Sequence, residues 1–146
     1  MNLQELQTVL TNQLPIKIFL INNQGYHSIR QTQTNLFGNH TKIGIGPESG
    51  DLSFPSYEKL AVAFGYPYYA AHSNAEMKMA VENTLKEEGA VFCEIFVSPE
   101  QFFEPKSATK RLPDGSLFSP PLEDLAPFLP EEELRENMFI PCITKK

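Results

Sequence analysis

The chain has 146 residues, enough for one domain with a core of its own. Its 12 Lys and Arg against 18 Asp and Glu give a formal net charge of -6, which argues against a nucleic-acid surface because phosphate binding needs concentrated cations. No apolar run approaches the roughly 20 residues of a membrane helix, and Met1–Glu5 lack a basic, apolar leader, so we expect neither a membrane nor export. Cys93 and Cys142 show no CxxC spacing, which favours a reducing, cytoplasmic setting.

Residues 1–14 predict an amphipathic helix, because Leu3, Leu6, Leu10 and Leu14 recur at helical spacing. The spacing of Asn2 and Glu5 is typical of a capping box, so we interpret Glu5 as a helix cap. Pro15 ends the helix.

The next stretch, Ile16–Tyr26, is an apolar run that stops at two asparagines and a glycine. Its first six residues predict a strand that is apolar on both faces, as in the interior of a parallel sheet. Ligands of open α/β sheets bind beyond the carboxyl ends of the strands. The sequence therefore predicts a binding site at Asn22–Tyr26.

Residues 25–50 predict a long loop with at most one helical turn, around residues 28–33. Gly44–Gly50 has some likeness to a phosphate-binding glycine loop, but Pro47 removes an amide and the third glycine comes one residue late. We interpret this segment as an ordinary turn.

Helices and strands alternate through the rest of the first hundred residues, which predicts an α/β fold with a parallel sheet and right-handed crossovers. A helix is predicted from Tyr57 to its end at Gly65, followed by a strand over Tyr66–Ala71. The next helix begins with a Ser73–Glu76 capping box and ends at Gly89, and its inward residues are Met77, Ala80, Val81 and Leu85. A central strand over Ala90–Val97 follows, with Cys93 in the core. We expect His40 and His72 on the surface or in loops.

Beyond Val97 the character of the chain changes, because 8 of the 12 prolines lie in residues 98–146 and forbid a long helix. Many large apolar residues also lie there, too many for a solvated linker. We expect a Pro-rich extended arm that packs on its own domain or on a partner, with a short acidic helix over Glu131–Asn137.

Seven segments of the first hundred residues form a pattern known from one family, and they are Met1–Leu6, Leu14–Ile18, Asn22–Tyr26, Ile29–Gln33, Pro47–Gly50, Glu58–Ala61 and Glu94–Val97. These segments resemble the C-terminal diphosphate-binding domain of thiamine diphosphate enzymes, above all the large subunit of acetolactate synthase. The tail segments Pro105–Lys106, Leu112–Gly115 and Pro121–Asp124 look like acetolactate synthase-like homologues. The resemblance implies a three-layer thiamine diphosphate-binding fold with a mostly parallel sheet in residues 1–97, its start missing, followed by the arm over residues 98–146.

The resemblance also implies a site for thiamine diphosphate and Mg²⁺. Asn23 matches the metal-binding asparagine of the family, and Gly25 matches the position that contributes a backbone carbonyl. Gln24, Gly25, Tyr26 and His27 would flank the cofactor. The Gly-Asp-Gly of the family would fall before Met1, and its activating glutamate belongs to another domain. We therefore expect no catalytic residue in this chain, and the chain alone to be inactive.

Two functional hypotheses follow. In the first, the chain is part of an enzyme that decarboxylates a 2-oxo acid such as pyruvate and joins the product to an acceptor, working as a homo-oligomer, a dimer or tetramer. In the second, it is a non-catalytic dimerisation or regulatory module of the same fold. For Arg30, steering of an anionic substrate and capping of a turn both stay open.

Overall fold

The computed structural model describes residues 2–38 and 42–140, and the chain divides into two compact units, residues 1–101 and residues 102–146. In chain order the elements are α1 (Glu5–Thr11), β1 (Lys17–Asn22), α2 (His27–Phe37), a 3-10 helix (Pro47–Ser49), α3 (Tyr57–Phe64), β2 (Tyr68–Ala71), α4 (Asn74–Lys86), β3 (Val91–Phe96), β4 (Lys110–Arg111), β5 (Leu117–Phe118) and α5 (Glu131–Asn137). None of the helices in these ranges has the length and apolar character to cross a bilayer.

The first unit is built on a three-stranded parallel sheet in the order β1-β3-β2. Asn22 pairs with Phe96, and Ala71 with Ile95, so the three strands end at the same edge of the sheet. The predicted α/β fold with parallel strands is confirmed. The central position of β3 is also confirmed, and Cys93 within it is fully buried, as expected.

Helices pack on both faces of this sheet. On one face the cluster Ala61, Tyr66, Ala90 and Phe92 joins α3 to β3, and apolar residues of α1 and β1 pack against it. On the other face a smaller cluster of Ala71, Ala80 and Cys93 joins α4 to β2 and β3. The result is a layered α/β unit with a hydrophobic cluster on each face of the sheet.

The position of β1 corrects the sequence-based prediction. In the sheet of the described residues β1 is an edge strand, whereas its continuous apolar character predicts an interior one. Ile18 and Leu20 face the core, but Phe19 is 38% exposed and Ile21 53% exposed. The reason is that α4 packs on β2 and β3, so the described residues leave the second face of β1 open.

The start of α1 also differs from the prediction. The helix begins at Glu5 rather than near Met1, and its N-cap residue, Gln4, makes no capping bond through its side chain. The backbone amide of Glu5 donates to the backbone carbonyl of Asn2 at 3.1 Å, so a turn precedes the helix. The predicted capping box of Asn2 and Glu5 is therefore wrong.

Helix α2 occupies a region predicted as loop. It runs for 11 residues, His27–Phe37, and the residues it buries are His27, Arg30 and Gln31. These positions share one helical face, so the periodicity is present but is carried by polar residues. A search for apolar residues at helical spacing does not detect such a helix.

The helices α3 and α4 fit their predictions in part. Gly65 ends α3 in the left-handed conformation, as predicted. The Ser73 hydroxyl accepts the amide of Glu76 at the start of α4, which is one half of the predicted capping box, but the Glu76 carboxylate accepts the amide of His72 rather than that of Ser73. However, α4 ends at Lys86, three residues before Gly89. Its inward face is also rotated from the predicted one. Ala80 and Thr84 are buried, while Met77 and Leu85, predicted inward, are 40% and 61% exposed.

The second unit contains a short antiparallel pair, β4 and β5, and the helix α5 over the predicted residues. The Nζ atom of Lys110 lies 2.7 Å from a carboxylate oxygen of Asp124 and 4.1 Å from the ring centre of Phe128. Asp124 is the one buried residue among the described residues of this unit. The packing of a Pro-rich arm on its own domain or on a partner stays a prediction.

Candidate cofactor site

A cavity of about 350 Å³ lies where β1 ends, at the carboxyl edge of the parallel sheet. It is lined by Leu20, Ile21, Asn22, Asn23, Gln24, Gly25, Tyr26, Pro47, Phe54, Pro55 and Tyr57. Four of the five residues singled out from the sequence therefore line one cavity, and the fifth, His27, follows directly. Ligands of open α/β sheets bind at this edge.

A tight turn carries Asn23. The side-chain oxygen of Asn22 accepts the backbone amide of Gln24 at 3.0 Å, which is the bond of an Asx turn. Gln24 has a φ of 57°, in the left-handed region that costs a non-glycine residue free energy. Asn23, half-buried, lies between the two. The turn is therefore held in an unfavourable conformation by a specific side-chain bond.

Gly25 is the point at which a second loop packs against this turn. The amide of Tyr26 donates to the carbonyl of Ile45 at 2.7 Å, and a Cβ atom added at Gly25 would overlap that carbonyl oxygen. From the other side, a Cβ atom at Gly46 would lie 2.5 Å from the carbonyl oxygen of Gln24. Only glycine permits backbones to approach this closely. The contact of Gly25 with a diphosphate stays a prediction.

Arg30 stabilises the turn through hydrogen bonds to its backbone carbonyls. Its guanidinium is 4% exposed and donates to the backbone carbonyls of Asn23 and Gln24, each at 3.2 Å, and to a carboxylate oxygen of Glu48 at 2.9 Å. The fixed fork of a guanidinium suits such convergent acceptors. Of the two roles left open by the sequence, this geometry favours the capping of a turn.

Glu48 links Arg30 to the glycine-containing loop. A hydrogen bond from Lys42, together with the charges of Lys42 and Arg30, holds the pKa of the Glu48 carboxyl below its ordinary value despite some desolvation. It therefore stays ionised at neutral pH and balances the buried guanidinium.

The same loop satisfies its own amides. The amide of Gly44 donates to Asp51 at 2.8 Å, and those of Ile45 and Gly46 donate to the Ser49 hydroxyl at 3.3 Å. Residues 47–49 form a 3-10 turn. Three amides of this segment are thus used by its own side chains, which agrees with its interpretation as an ordinary turn.

Tyr26 and His27 point in different directions. Tyr26 is 46% exposed and meets Phe54 edge-on, with ring centres 5.8 Å apart. His27 is 3% exposed, and its Nδ1 atom lies 3.0 Å from the guanidinium of Arg30. Because a guanidinium only donates, Nδ1 accepts. His27 is thus buried against Arg30, which holds the turn, and the contact of His27 with a cofactor stays a prediction.

Sequence reasoning missed a buried carboxylate beside the turn. Glu94, 3% exposed in the central strand β3, accepts from the Asn22 side-chain amide at 2.5 Å and from the Tyr68 hydroxyl at 2.6 Å. Burial, together with the bond to Glu94, raises the pKa of Tyr68. The available signal was one charged residue in the middle of an apolar strand, because such residues are seldom fully buried unless paired.

Glu94 also lines a second cavity, of about 400 Å³, beside the first. Its walls include Tyr57 of α3, whose pKa is raised by burial and by the Glu94 charge.

His72 also lines this second cavity. This residue lies in an exposed loop, as expected, with its ring stacked on that of Phe96 at 4.2 Å between centres. His40 and Cys142 lie outside the described residues.

The donors of the turn suit Mg²⁺, although they do not complete a site. Mg²⁺ prefers octahedral oxygen ligands, and the amide of Asn23 and the carbonyl of Gly25 are of this kind. No carboxylate is among the described residues that line this cavity, and no cluster of three His, Cys, Asp or Glu residues within residues 2–38 and 42–140 could hold a metal. The residues present therefore fit one part of a metal and diphosphate site.

Comparison with known proteins identifies the class. The sequence profile of the family described as "Thiamine pyrophosphate enzyme, C-terminal TPP binding domain" matches residues 1–95, well over half of the chain. The chain belongs to this family, and the resemblance inferred from its motifs is confirmed.

Relatives of this chain include acetolactate synthases. The acetolactate synthase large subunit of Porphyra purpurea is 31% identical over 104 residues, which make up 69% of this chain and 16% of that protein. Acetolactate synthase, chloroplastic, of Arabidopsis thaliana is 27% identical over 122 residues, 82% of this chain and 17% of that protein. The chain thus spans about one sixth of the length of these relatives.

Proposed function

We propose that this chain supplies part of the diphosphate and Mg²⁺ cradle of a thiamine diphosphate-dependent enzyme that acts on 2-oxo acids, in an acetolactate synthase-like decarboxylation and carboligation. When bound, thiamine diphosphate supplies the electron sink for decarboxylation. The chain's own task is to present oxygen ligands at fixed positions.

The observation that carries the proposal is the Asn23 turn at the carboxyl edge of the sheet. Asn23 and Gly25 line one cavity there. The turn is held by the Asn22 side chain, which accepts the Gln24 amide, and by Arg30, which donates to the Asn23 carbonyl. A metal ligand has to be fixed before the metal arrives if binding is not to incur the cost of ordering it. The hydrogen bonds of this turn supply that order.

We propose that the complete site also draws on groups from outside these 146 residues. We propose that a segment or subunit beyond this chain provides the carboxylate ligand of Mg²⁺, because the described lining of the cavity has none. The same reasoning assigns the residue that activates the cofactor to another domain. A homo-oligomer, dimer or tetramer, in the cytoplasm is the proposed setting, with the buried thiol of Cys93 reduced.

A second candidate function is a non-catalytic dimerisation or regulatory module. The observation that favours it is the same lack of a carboxylate among the described lining residues, since two neutral oxygen ligands hold Mg²⁺ weakly. The two candidates differ in one measurable property, the binding of cofactor and metal.

Calorimetric titration of the 146-residue chain with thiamine diphosphate in the presence of Mg²⁺ separates them. We expect weak saturable binding that requires Mg²⁺. Asn23→Ala should reduce the affinity at least tenfold, about 1.4 kcal/mol, since it removes a proposed metal ligand. The absence of any binding heat from the wild-type chain at millimolar cofactor would instead favour the non-catalytic dimerisation or regulatory module.

The matched control is Asn35→Ala, which removes the same amide from an exposed position of α2 away from the turn. We expect it to bind as the wild type does. Equal losses from Asn23→Ala and Asn35→Ala would contradict the assignment of Asn23.

A further inference from the structure

We propose that Glu94 is a positioning residue for the Asn23 turn. Through one hydrogen bond to Asn22 it fixes which end of that side-chain amide faces the turn. This inference rests on the proposed function for its consequence, but the positioning itself can be tested without cofactor or metal.

The first step is the chemistry of the pair. A carboxylate has oxygen acceptors and no donor, so the Nδ2 group of Asn22 must face Glu94, which it does at 2.5 Å. The Oδ1 atom of Asn22 then points the other way, where it accepts the Gln24 amide at 3.0 Å.

The second step is the effect on the backbone. Gln24 adopts a φ of 57°, a left-handed conformation that costs a residue with a Cβ atom free energy. Another interaction has to offset that cost. The Asx bond supplies that compensation, and it is available only while the Asn22 amide keeps its orientation. Arg30 cannot replace it, because the guanidinium contacts the carbonyls of the turn rather than the Gln24 amide.

The third step is the support of Glu94 itself. It lies in β3 directly opposite Leu20 of β1, with 3% of its surface exposed, and the hydroxyl of Tyr68 in β2 occupies its second oxygen at 2.6 Å. The Tyr68 ring is in turn stacked on Phe92 at 6.3 Å between centres. A continuous chain of contacts therefore runs from β2 through β3 to the turn after β1.

The test compares Glu94→Leu with Glu94→Gln by amide hydrogen exchange in the full chain, with circular dichroism to confirm folding. Gln keeps an acceptor for Asn22, and its NH₂ group can donate to the Tyr68 hydroxyl, so the Gln24 amide should keep its protection. Leu has no acceptor, and Gln24 should exchange at least tenfold faster while the Phe92 amide, bonded to Pro67 at 2.9 Å, stays protected. Unchanged Gln24 protection in Glu94→Leu, or loss only in step with Phe92, would overturn the proposal.

A second comparison covers the case in which Glu94→Leu does not fold. Asn22→Leu removes the oxygen that accepts the Gln24 amide and should speed the exchange of that amide at least tenfold. The double variant Asn22→Asp with Glu94→Gln keeps that oxygen, and a donor still faces an acceptor between the two side chains, so the Gln24 amide should keep its protection. Equal loss of Gln24 protection in Asn22→Leu and in the double variant would overturn the proposal.

Titration with thiamine diphosphate and Mg²⁺ then separates this inference from the proposed function. If the wild-type chain binds, Glu94→Gln should bind within threefold of it and Asn22→Leu should lose at least tenfold in affinity. Wild-type affinity in Asn22→Leu would overturn the positioning role. If the wild-type chain does not bind, the proposed function fails, while the exchange measurements still decide whether Glu94 orders the turn.

Discussion

At the scale of single residues, the site consists of a few buried polar groups that hold one turn. Arg30 contacts the backbone carbonyls of the turn, Glu94 contacts the side chain of Asn22, and each is almost fully buried and paired. The position of Asn23 and Gly25 in a cavity could be anticipated from the sequence because the motif coincides with the end of a strand. Their supports could not, since Glu48 and Glu94 are distant along the chain and reach the turn only through the fold.

Gly25 gives the prediction at this scale. Gly25→Ala should destabilise the chain by about 3 kcal/mol, because the added Cβ atom meets the backbone oxygen of Ile45, which cannot rotate away as a side chain can. Gly89→Ala is the matched control. Its Cβ atom would meet nothing within 4 Å, so it should be neutral or stabilise by up to about 1 kcal/mol. Urea unfolding followed by circular dichroism measures both, and equal effects would contradict the close packing of the two loops.

At the scale of elements, predictions succeeded where local chemistry decides and failed where packing does. As the sequence indicates, α3 ends at Gly65 and α4 begins after Ser73. Both signals depend only on nearby residues, because a left-handed glycine ends a helix locally and a hydroxyl caps an amide three residues away. Helix α2 escaped detection because its buried face is polar. The edge position of β1 could not be predicted from its apolar run. Such a run indicates that a strand can be buried on both faces, but not which other strands and helices pack against it.

The helix caps supply a prediction at this scale. Ser73→Ala should cost about 1 kcal/mol of stability, since the hydroxyl accepts the amide of Glu76 at the start of α4. Asn2→Ala should change stability by less than about 0.5 kcal/mol, because α1 has no side-chain cap although the sequence pattern at Asn2 is typical of one. Thermal or urea unfolding of the two variants measures the contrast. A larger loss from Asn2→Ala would restore the capping box that the structure does not contain.

At the scale of the whole molecule, apolar burial is unevenly divided between the two units. Both hydrophobic core clusters lie within residues 1–101, together with the parallel sheet and the candidate site. Among the described residues of the second unit, no apolar side chain is fully buried. Stability scales with the apolar area removed from water, so the first unit should carry most of it.

This division leads to a truncation experiment. A chain that ends at Gln101 should keep the sheet and unfold cooperatively, with a free energy of unfolding within about 1 kcal/mol of the full chain, because no core cluster is cut. Residues 102–146 alone should give the circular dichroism of an unfolded chain, since a segment of this size needs a substantial core or covalent cross-links to fold. Loss of cooperative unfolding on truncation would show that the arm contributes to the core. It would also favour the arm's predicted packing on its own domain over packing on a partner.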